Sequence, residues 1–273
     1  MFKKSVTNGE AQGIRYVLGK VRFQSFQLSV YCFETDGVLI DTGANSLSKQ
    51  LKPFFDAIDI DKVIITHDHE DHTGGAAYIQ KTKGVPIFMS DKSAKNGEKA
   101  AKYPLYRKAF WGSRKPFEAQ PIGQTFESRN ATWDVIETPG HAYDHLAFYN
   151  RETGQMYTGD LYVSPITKVI LRSESIPTIV RSLDRVLTYD FSEVICNHAG
   201  IVTNGREALL EKKHNLEAFI DQVLTLHQKG MDYKEIHAQL IQKKYPITRF
   251  SSGEWDSLHM VTSVLADESL LVK

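Results

Sequence analysis

The pattern His-x-His-x-Asp-His fills residues 67 to 72, within Thr66-His67-Asp68-His69-Glu70-Asp71-His72-Thr73-Gly74-Gly75. Imidazole and carboxylate together are the ligand set of zinc, manganese or iron, so the stretch is a candidate metal site. The spacing suits that role. In an extended turn His67 and His69 project to one side, while Asp71 and His72 lie where the chain turns into a helix and point back. A solvated polar turn is the alternative, and it asks for no such pattern.

The surrounding elements must hold this stretch at a strand end. Lys62-Val63-Ile64-Ile65-Thr66 reads as a short buried strand, and a helix is expected from about Gly74. Residues 14 to 40 read as strands, the last of which, Gly37-Val38-Leu39-Ile40, stops at Asp41-Thr42-Gly43. Helices are expected over 46–58 and 176–187, and strands over 85–89, 132–137, 146–149, 155–158 and 193–196. Residues 91–118 are less regular, with Tyr103, Tyr106, Phe110 and Trp111 among basic residues. They read as a partly helical excursion with its own small core, or as a lid over the site. From about Arg206 the pattern is helical, with Leu216, Phe219, Ile220, Val223 and Leu224 at helical spacing. Asp232 and Glu235 read as a capping pair, and Ser251-Ser252-Gly253-Glu254 repeats that pattern ahead of Leu258.

This arrangement resembles the metallo-β-lactamase superfamily, whose signature is the same motif after a strand. Other parts of that family's pattern follow in order. Thr138-Pro139-Gly140-His141 resembles the segment with the next histidine ligand, Tyr157-Thr158-Gly159-Asp160 the strand end with a bridging aspartate, and Cys196-Asn197-His198-Ala199-Gly200 the segment with the last histidine. The resemblance spans residues 37 to 200. It implies an α/β fold, a four-layer αβ/βα sandwich over residues 1–205, followed by a C-terminal helical region over 206–273.

It also implies two divalent metal ions, zinc ahead of Mn2+ or Fe2+. One would be held by His67, His69 and His141, the other by Asp71, His72 and His198, with Asp160 bridging. Such a pair shares a hydroxide, its parent water brought toward a pKa of ~7, and this attacks a substrate carbonyl. Asp71 or Asp160 would orient it or accept a proton. Asp41 would accept a hydrogen bond from a ligand imidazole, or else merely cap its turn. Tyr162 and Tyr143 are candidates to polarise a carbonyl or hold its oxyanion, against ordinary surface or core roles. His145 is either packed structure or support for a ligand. His214, His227, His237 and His259 lie in the tail and are expected to stand apart from metal. Cys196-Asn197 departs from the small pair the family often has before its last histidine, which bears on the pocket there. His69 argues against the oxygen-reducing di-iron relatives, which carry glutamate at that position.

Lys+Arg and Asp+Glu both number 33 in 273 residues, so neutral charge gives no reason to expect nucleic acid or an anionic membrane as partner. Two cysteines, Cys32 and Cys196, make no disulfide framework and read as buried strand positions. Residues 1 to 8 lack the apolar region of a secretory signal and no run approaches membrane-spanning length, so a cytoplasmic location and a small-molecule substrate are expected; a homodimer stays open. The resemblance favours hydrolysis of an ester, thioester or lactone, as in glyoxalase II-like and lactonase-like members, over antibiotic hydrolysis. One alternative is an endoribonuclease using a basic strip of Lys92, Lys95, Lys99, Lys102, Arg107, Lys108, Arg114 and Lys115. Another is a mononuclear iron dioxygenase acting on persulfides through His67, His141 and Asp160. A non-catalytic binding role is disfavoured because no ligand is missing. The tail is expected to wall the substrate pocket opposite Tyr106, Phe110 and Trp111.

Overall fold

Runs such as Val38-Leu39-Ile40 and Val63-Ile64-Ile65 are apolar at every position, and alternate side chains of a strand face opposite ways. Such strands must be covered on both faces. In the computed structural model, which describes residues 2–24 and 26–271, they are. One sheet runs in chain order through β1 (Lys3–Ala11), β2 (Ile14–Phe23), β3 (Phe26–Thr35), β4 (Val38–Ile40), β5 (Lys62–Ile64), β6 (Ile87–Met89) and β7 (Gln120–Pro121). A second sheet begins at one edge with β8 (Thr125–Glu127), β9 (Thr132–Glu137), β10 (Leu146–Asn150) and β11 (Met156–Gly159). The chain then leaves it for β12 (Ile170–Leu171) and returns with β13 (Val194–Cys196) and β14 (Gly200–Val202). β12 pairs instead with the distant β15 (Trp255–Asp256).

Three apolar clusters follow from the alternation. Ile40 and Ile64 point inward with Phe33, Trp133, Phe148 and Tyr157, filling the space between the sheets. Their neighbours Leu39 and Val63 point outward against Leu51 and Phe55 of α1 (Ser48–Ala57). The short α2 (Glu70–Thr73) carries the end of the histidine motif, and α3 (Ala76–Lys83) adds Ala76 and Ile79 to the outer cluster. On the far side, Met156, Val194 and Cys196 pack against Leu183 of α5 (Ile176–Leu187) and Leu209 and Val223 of α6 (Gly205–Gln228). The result is the expected four-layer α/β/β/α sandwich. Truncating a fully buried residue such as Trp133 in the central layer costs about 3–5 kcal/mol.

The C-terminal stretch continues through α7 (Tyr233–Leu240), α8 (Pro246–Phe250), α9 (Leu258–Leu265) and α10 (Glu268–Leu271). Asp232 and Glu235 form the expected reciprocal cap on α7. Ile236, Val261 and Val264 join the same cluster as α5, so the tail shares a core with the second sheet. No helix among the described residues is long and apolar enough to cross a membrane.

Two expectations are corrected, and one strand had no expectation. The segment 91–118 has no core of its own: Phe110 and Trp111 of α4 (Leu105–Trp111), with Phe117, extend the cluster under the first sheet. Ser251 is no N-cap, because α9 starts only at Leu258; it closes the C-terminus of α8, and its hydroxyl accepts from the Trp255 N–H at 2.9 Å, inside the turn that launches β15. β1 is a nearly fully exposed edge strand, and without a buried face it lacks the alternation that would announce it.

Candidate metal centre

The chemistry-bearing residues follow the C-terminal ends of strands in both sheets. Asp41 follows β4, His67 follows β5, His141 follows β9, Asp160 follows β11 and His198 follows β13. The motif then turns sharply back: a Cβ on Gly74 would lie 2.1 Å from the Asn45 backbone N, so only glycine lets α2 pack onto the Asp41 turn.

The seven predicted side chains meet at one place. Nε2 of His67 and Nε2 of His141 lie 2.9 and 3.1 Å from Nδ1 of His69. Beside them, Asp160 brings Oδ2 to 2.9 Å from His198 Nε2 and 3.4 Å from His141 Nε2, and Oδ1 to 3.5 Å from His72 Nε2. Asp71 completes the group, 3.7 Å from His198 Nε2 and 3.9 Å from His72 Nε2. Thus Asp160 touches both halves of the cluster.

His72, His141 and His198 are each aimed by a partner on the other nitrogen. Asp41 is fully buried at φ +58°, a conformation uncommon for a residue with a side chain. Its Oδ1 accepts from the Thr66 N–H at 2.8 Å, and its Oδ2 accepts from the Thr66 hydroxyl and from His72 Nδ1, each at 2.7 Å. Those bonds present His72 Nε2 to the centre. Ser29 C=O accepts from His198 Nδ1 at 2.5 Å, and Glu174 Oε2 lies 3.2 Å from His141 Nδ1. His145 accepts the Asp160 N–H on Nε2 at 3.0 Å and donates from Nδ1 to the Thr138 hydroxyl at 2.7 Å, so it supports the aspartate rather than facing the centre. Gly159 makes room for that ring; a Cβ there would lie 2.6 Å from it.

The electrostatics match a cation site. Burial, reinforced by neighbouring imidazoles, holds His67 and His69 well below the usual histidine range, which keeps them neutral. Burial also lowers His145 to about 3. Burial opposes charge on His198 too, but Asp160 and Asp71 outweigh it and raise that ring to about 9. His72 Nε2 and Asp160 Oδ1 are buried atoms with no hydrogen-bond partner, though they face each other. Buried polar atoms are rarely left so, and a shared cation is a partner that would satisfy both. Three groupings of the cluster, His67-His69-His141, His67-His72-Asp160 and Asp71-His72-His198, have ligand atoms close enough to hold a metal ion.

Residues 28–198 match the family model of the metallo-beta-lactamase superfamily. The chain belongs to that superfamily. Among curated relatives it is 32% identical over 129 residues to a thioesterase of Emericella nidulans, covering 45% of this chain and 32% of that protein. It is 26% identical over 218 residues to an atrochrysone carboxyl ACP thioesterase of Passalora fulva, covering 76% of this chain and 58% of the relative. Each match therefore spans less than two thirds of the relative's own length. Among solved structures, a beta-lactamase domain protein from Burkholderia ambifaria superposes with a TM-score of 0.69 at 19% identity, over 94% of this chain and 88% of that one. That likeness takes in the helical tail.

In this member of the superfamily a cavity of about 530 Å³ lies over the cluster, with His69, Asp71, His141, Asp160 and His198 in its lining. One wall is Tyr106, Phe110 and Trp111 of the excursion; Ile247, Phe250 and Trp255 of the tail form another, as expected of both segments. Two arginines of the excursion bind the acids interleaved in the histidine motif. Arg107 grips Glu70 with two bonds of 2.6 Å and reaches Glu254 of the tail at 3.2 Å. Arg114, buried, lies 3.2 Å from Asp68. The excursion is therefore a pinned wall. Two residues chosen from sequence stand outside the cavity. Tyr162 buries its ring in the cluster with Leu161 and Ile170, which removes it from the position of an oxyanion donor. Tyr143 is exposed, its hydroxyl accepting from Asn96 at 2.9 Å. Asn197, the departure before His198, donates to the Tyr31 C=O at 2.9 Å and so fastens the last histidine segment to β3.

Proposed function

We propose that the protein is a metal-dependent hydrolase of carboxylic esters, thioesters or lactones with bulky apolar acyl groups. The observation that carries this reading is the convergence of seven imidazoles and carboxylates at the base of an apolar cavity. His67, His69 and His141 would hold one divalent ion, Asp71, His72 and His198 a second, and Asp160 both. When bound, such ions supply a Lewis acid and a hydroxide nucleophile at neutral pH. Asp41, Glu174 and Ser29 fix the rings that face the centre, His145 fixes Asp160, and the aromatic walls exclude water and orient the acyl group. The thioesterase names of the fungal relatives favour thioesters within this range.

Three of the eight basic residues behind the nuclease alternative are paired at the excursion. Arg107 and Arg114 are spent on Glu70, Glu254 and Asp68, and Lys92 pairs with Glu137 at 2.7 Å, which depletes the basic strip. A screen of metal-loaded protein against thioesters, lactones, simple esters and short RNAs tests the reading. Hydrolysis of an aryl or long acyl thioester, abolished by chelation and restored by zinc, manganese or cobalt, is expected. Cleavage of RNA alone would contradict it.

A further inference from the structure

Lys212 is a lysine in an unusual place. It projects from α6, is 6% exposed, and lines the same cavity as the cluster. Lysine is almost never buried without a counter-charge. Here its Nζ donates to one neutral acceptor, the Tyr162 carbonyl at 2.6 Å, and that carbonyl already accepts from the Ser164 N–H. The ammonium has three protons to donate. Among the described residues no carboxylate stands in salt-bridge range of it. The nearby acids are engaged elsewhere, Glu174 with His141 and the Leu171 N–H, Asp160 with His198. Cys196, the other titratable neighbour, is a buried thiol held neutral chiefly by burial. Burial likewise lowers Lys212 to about 8, so at neutral pH it is mostly charged and poorly compensated. Of the other lining cations, Arg107 is neutralised by Glu70 and Glu254, and Lys168 is exposed to solvent.

We infer that Lys212 is the anchor for a carboxylate carried by the substrate's acyl portion, so that the cavity selects acyl groups that are apolar in body and bear an acid. A substrate carboxylate would provide the absent counter-charge in a site sheltered from water, where a charge-assisted hydrogen bond is strong. Retaining an unpaired ammonium also lowers stability, a trade common where a residue serves binding. The inference rests on the hydrolase reading only for what happens to the bound molecule; the charge argument stands apart from it.

The test uses matched probes that differ in one group. The 4-carboxybenzoyl and 4-carbamoylbenzoyl thioesters of N-acetylcysteamine are compared as substrates. Naphthalene-2-carboxylate and naphthalene-2-carboxamide are compared as ligands by calorimetry on the metal-loaded protein. Wild type should favour each acid over its amide by about ten-fold or more in KM or Kd, as a charge-assisted bond allows. Lys212→Met should erase the preference by weakening the acids, and Lys212→Arg should keep part of it. Lys212→Met should also raise Tm, since it removes an uncompensated buried charge. Equal binding of acid and amide by wild type, or no binding of either naphthalene probe, would overturn the inference. So would an acid preference that survives Lys212→Met, which would place the anion on the metals, or a lowered Tm with the preference intact, which would make the lysine a structural tie. If neither thioester is hydrolysed, the hydrolase reading fails, and the calorimetric arm still decides the role of Lys212.

Discussion

The base of the cavity and its roof are held together in different ways. At the base, every reactive side chain follows a strand, and the pairing of β4 with β5 and of β11 with β13 brings Asp41, His67, Asp160 and His198 together as a by-product of sheet topology. The roof has no sheet to set it. Its two walls meet through the guanidinium of Arg107, which holds Glu70 and reaches Glu254 across 147 positions of chain. Base geometry is therefore backed by three apolar layers, while roof residues such as Phe110 and Trp111 belong to one of those layers and the two walls meet through a few ion pairs and aromatic contacts such as Phe250 with Phe110. The base should tolerate loss of a reactive group without unfolding, and the roof should not tolerate loss of its central charge.

The largest expected effect is at the base. His69→Ala and Asp160→Ala should each lower turnover by orders of magnitude, while far-UV circular dichroism stays that of the wild type. Near-normal turnover in Asp160→Ala would break the comparison, because that carboxylate touches both halves of the cluster.

At the roof, Arg107→Leu leaves Glu70, 1% exposed, without its counter-charge. Stranding a buried ion costs about 3–5 kcal/mol, so the urea midpoint should fall clearly. Adding Glu70→Leu should recover a large part of that loss, since the pair as a whole contributes far less than either stranded charge. An unchanged midpoint in Arg107→Leu would mean that the wall is held by packing alone.

The same division governs how much was legible in the sequence. The base was, because metal ligands are few residue types and the strands before them are continuous apolar runs. Its supports were harder to see. Asp41 stood out at the end of an apolar strand, but Glu174 lies in the loop before α5 with no pattern around it, and only the fold brings it to His141. Roof residues were legible as aromatic and basic composition, not as partners. Arg107 and Arg114 looked like members of a positive strip because nothing local shows that Glu70 and Asp68, lodged between the ligands, would neutralise them. Lys212 looked like any helix lysine, since burial of one turn of α6 depends on the whole tail. Tyr162 was misjudged on proximity to Asp160: two residues along the chain the loop has already turned its ring into the core.

That last point yields the smallest expected effect. Tyr162→Phe should leave kcat and KM within about two-fold, whereas loss of a true oxyanion donor costs about 10²-fold or more. A loss of that size would return the hydroxyl to the reaction.

The central claim is that these seven side chains form one two-ion centre. Metal content after dialysis against a slight excess of zinc, read by plasma emission spectrometry, tests it most directly. Wild type should retain two zinc ions per chain, and Asp160→Ala and His198→Ala should each retain fewer with the fold intact. A single ion per chain in the wild type, whether zinc or iron, would contradict the two-ion assignment.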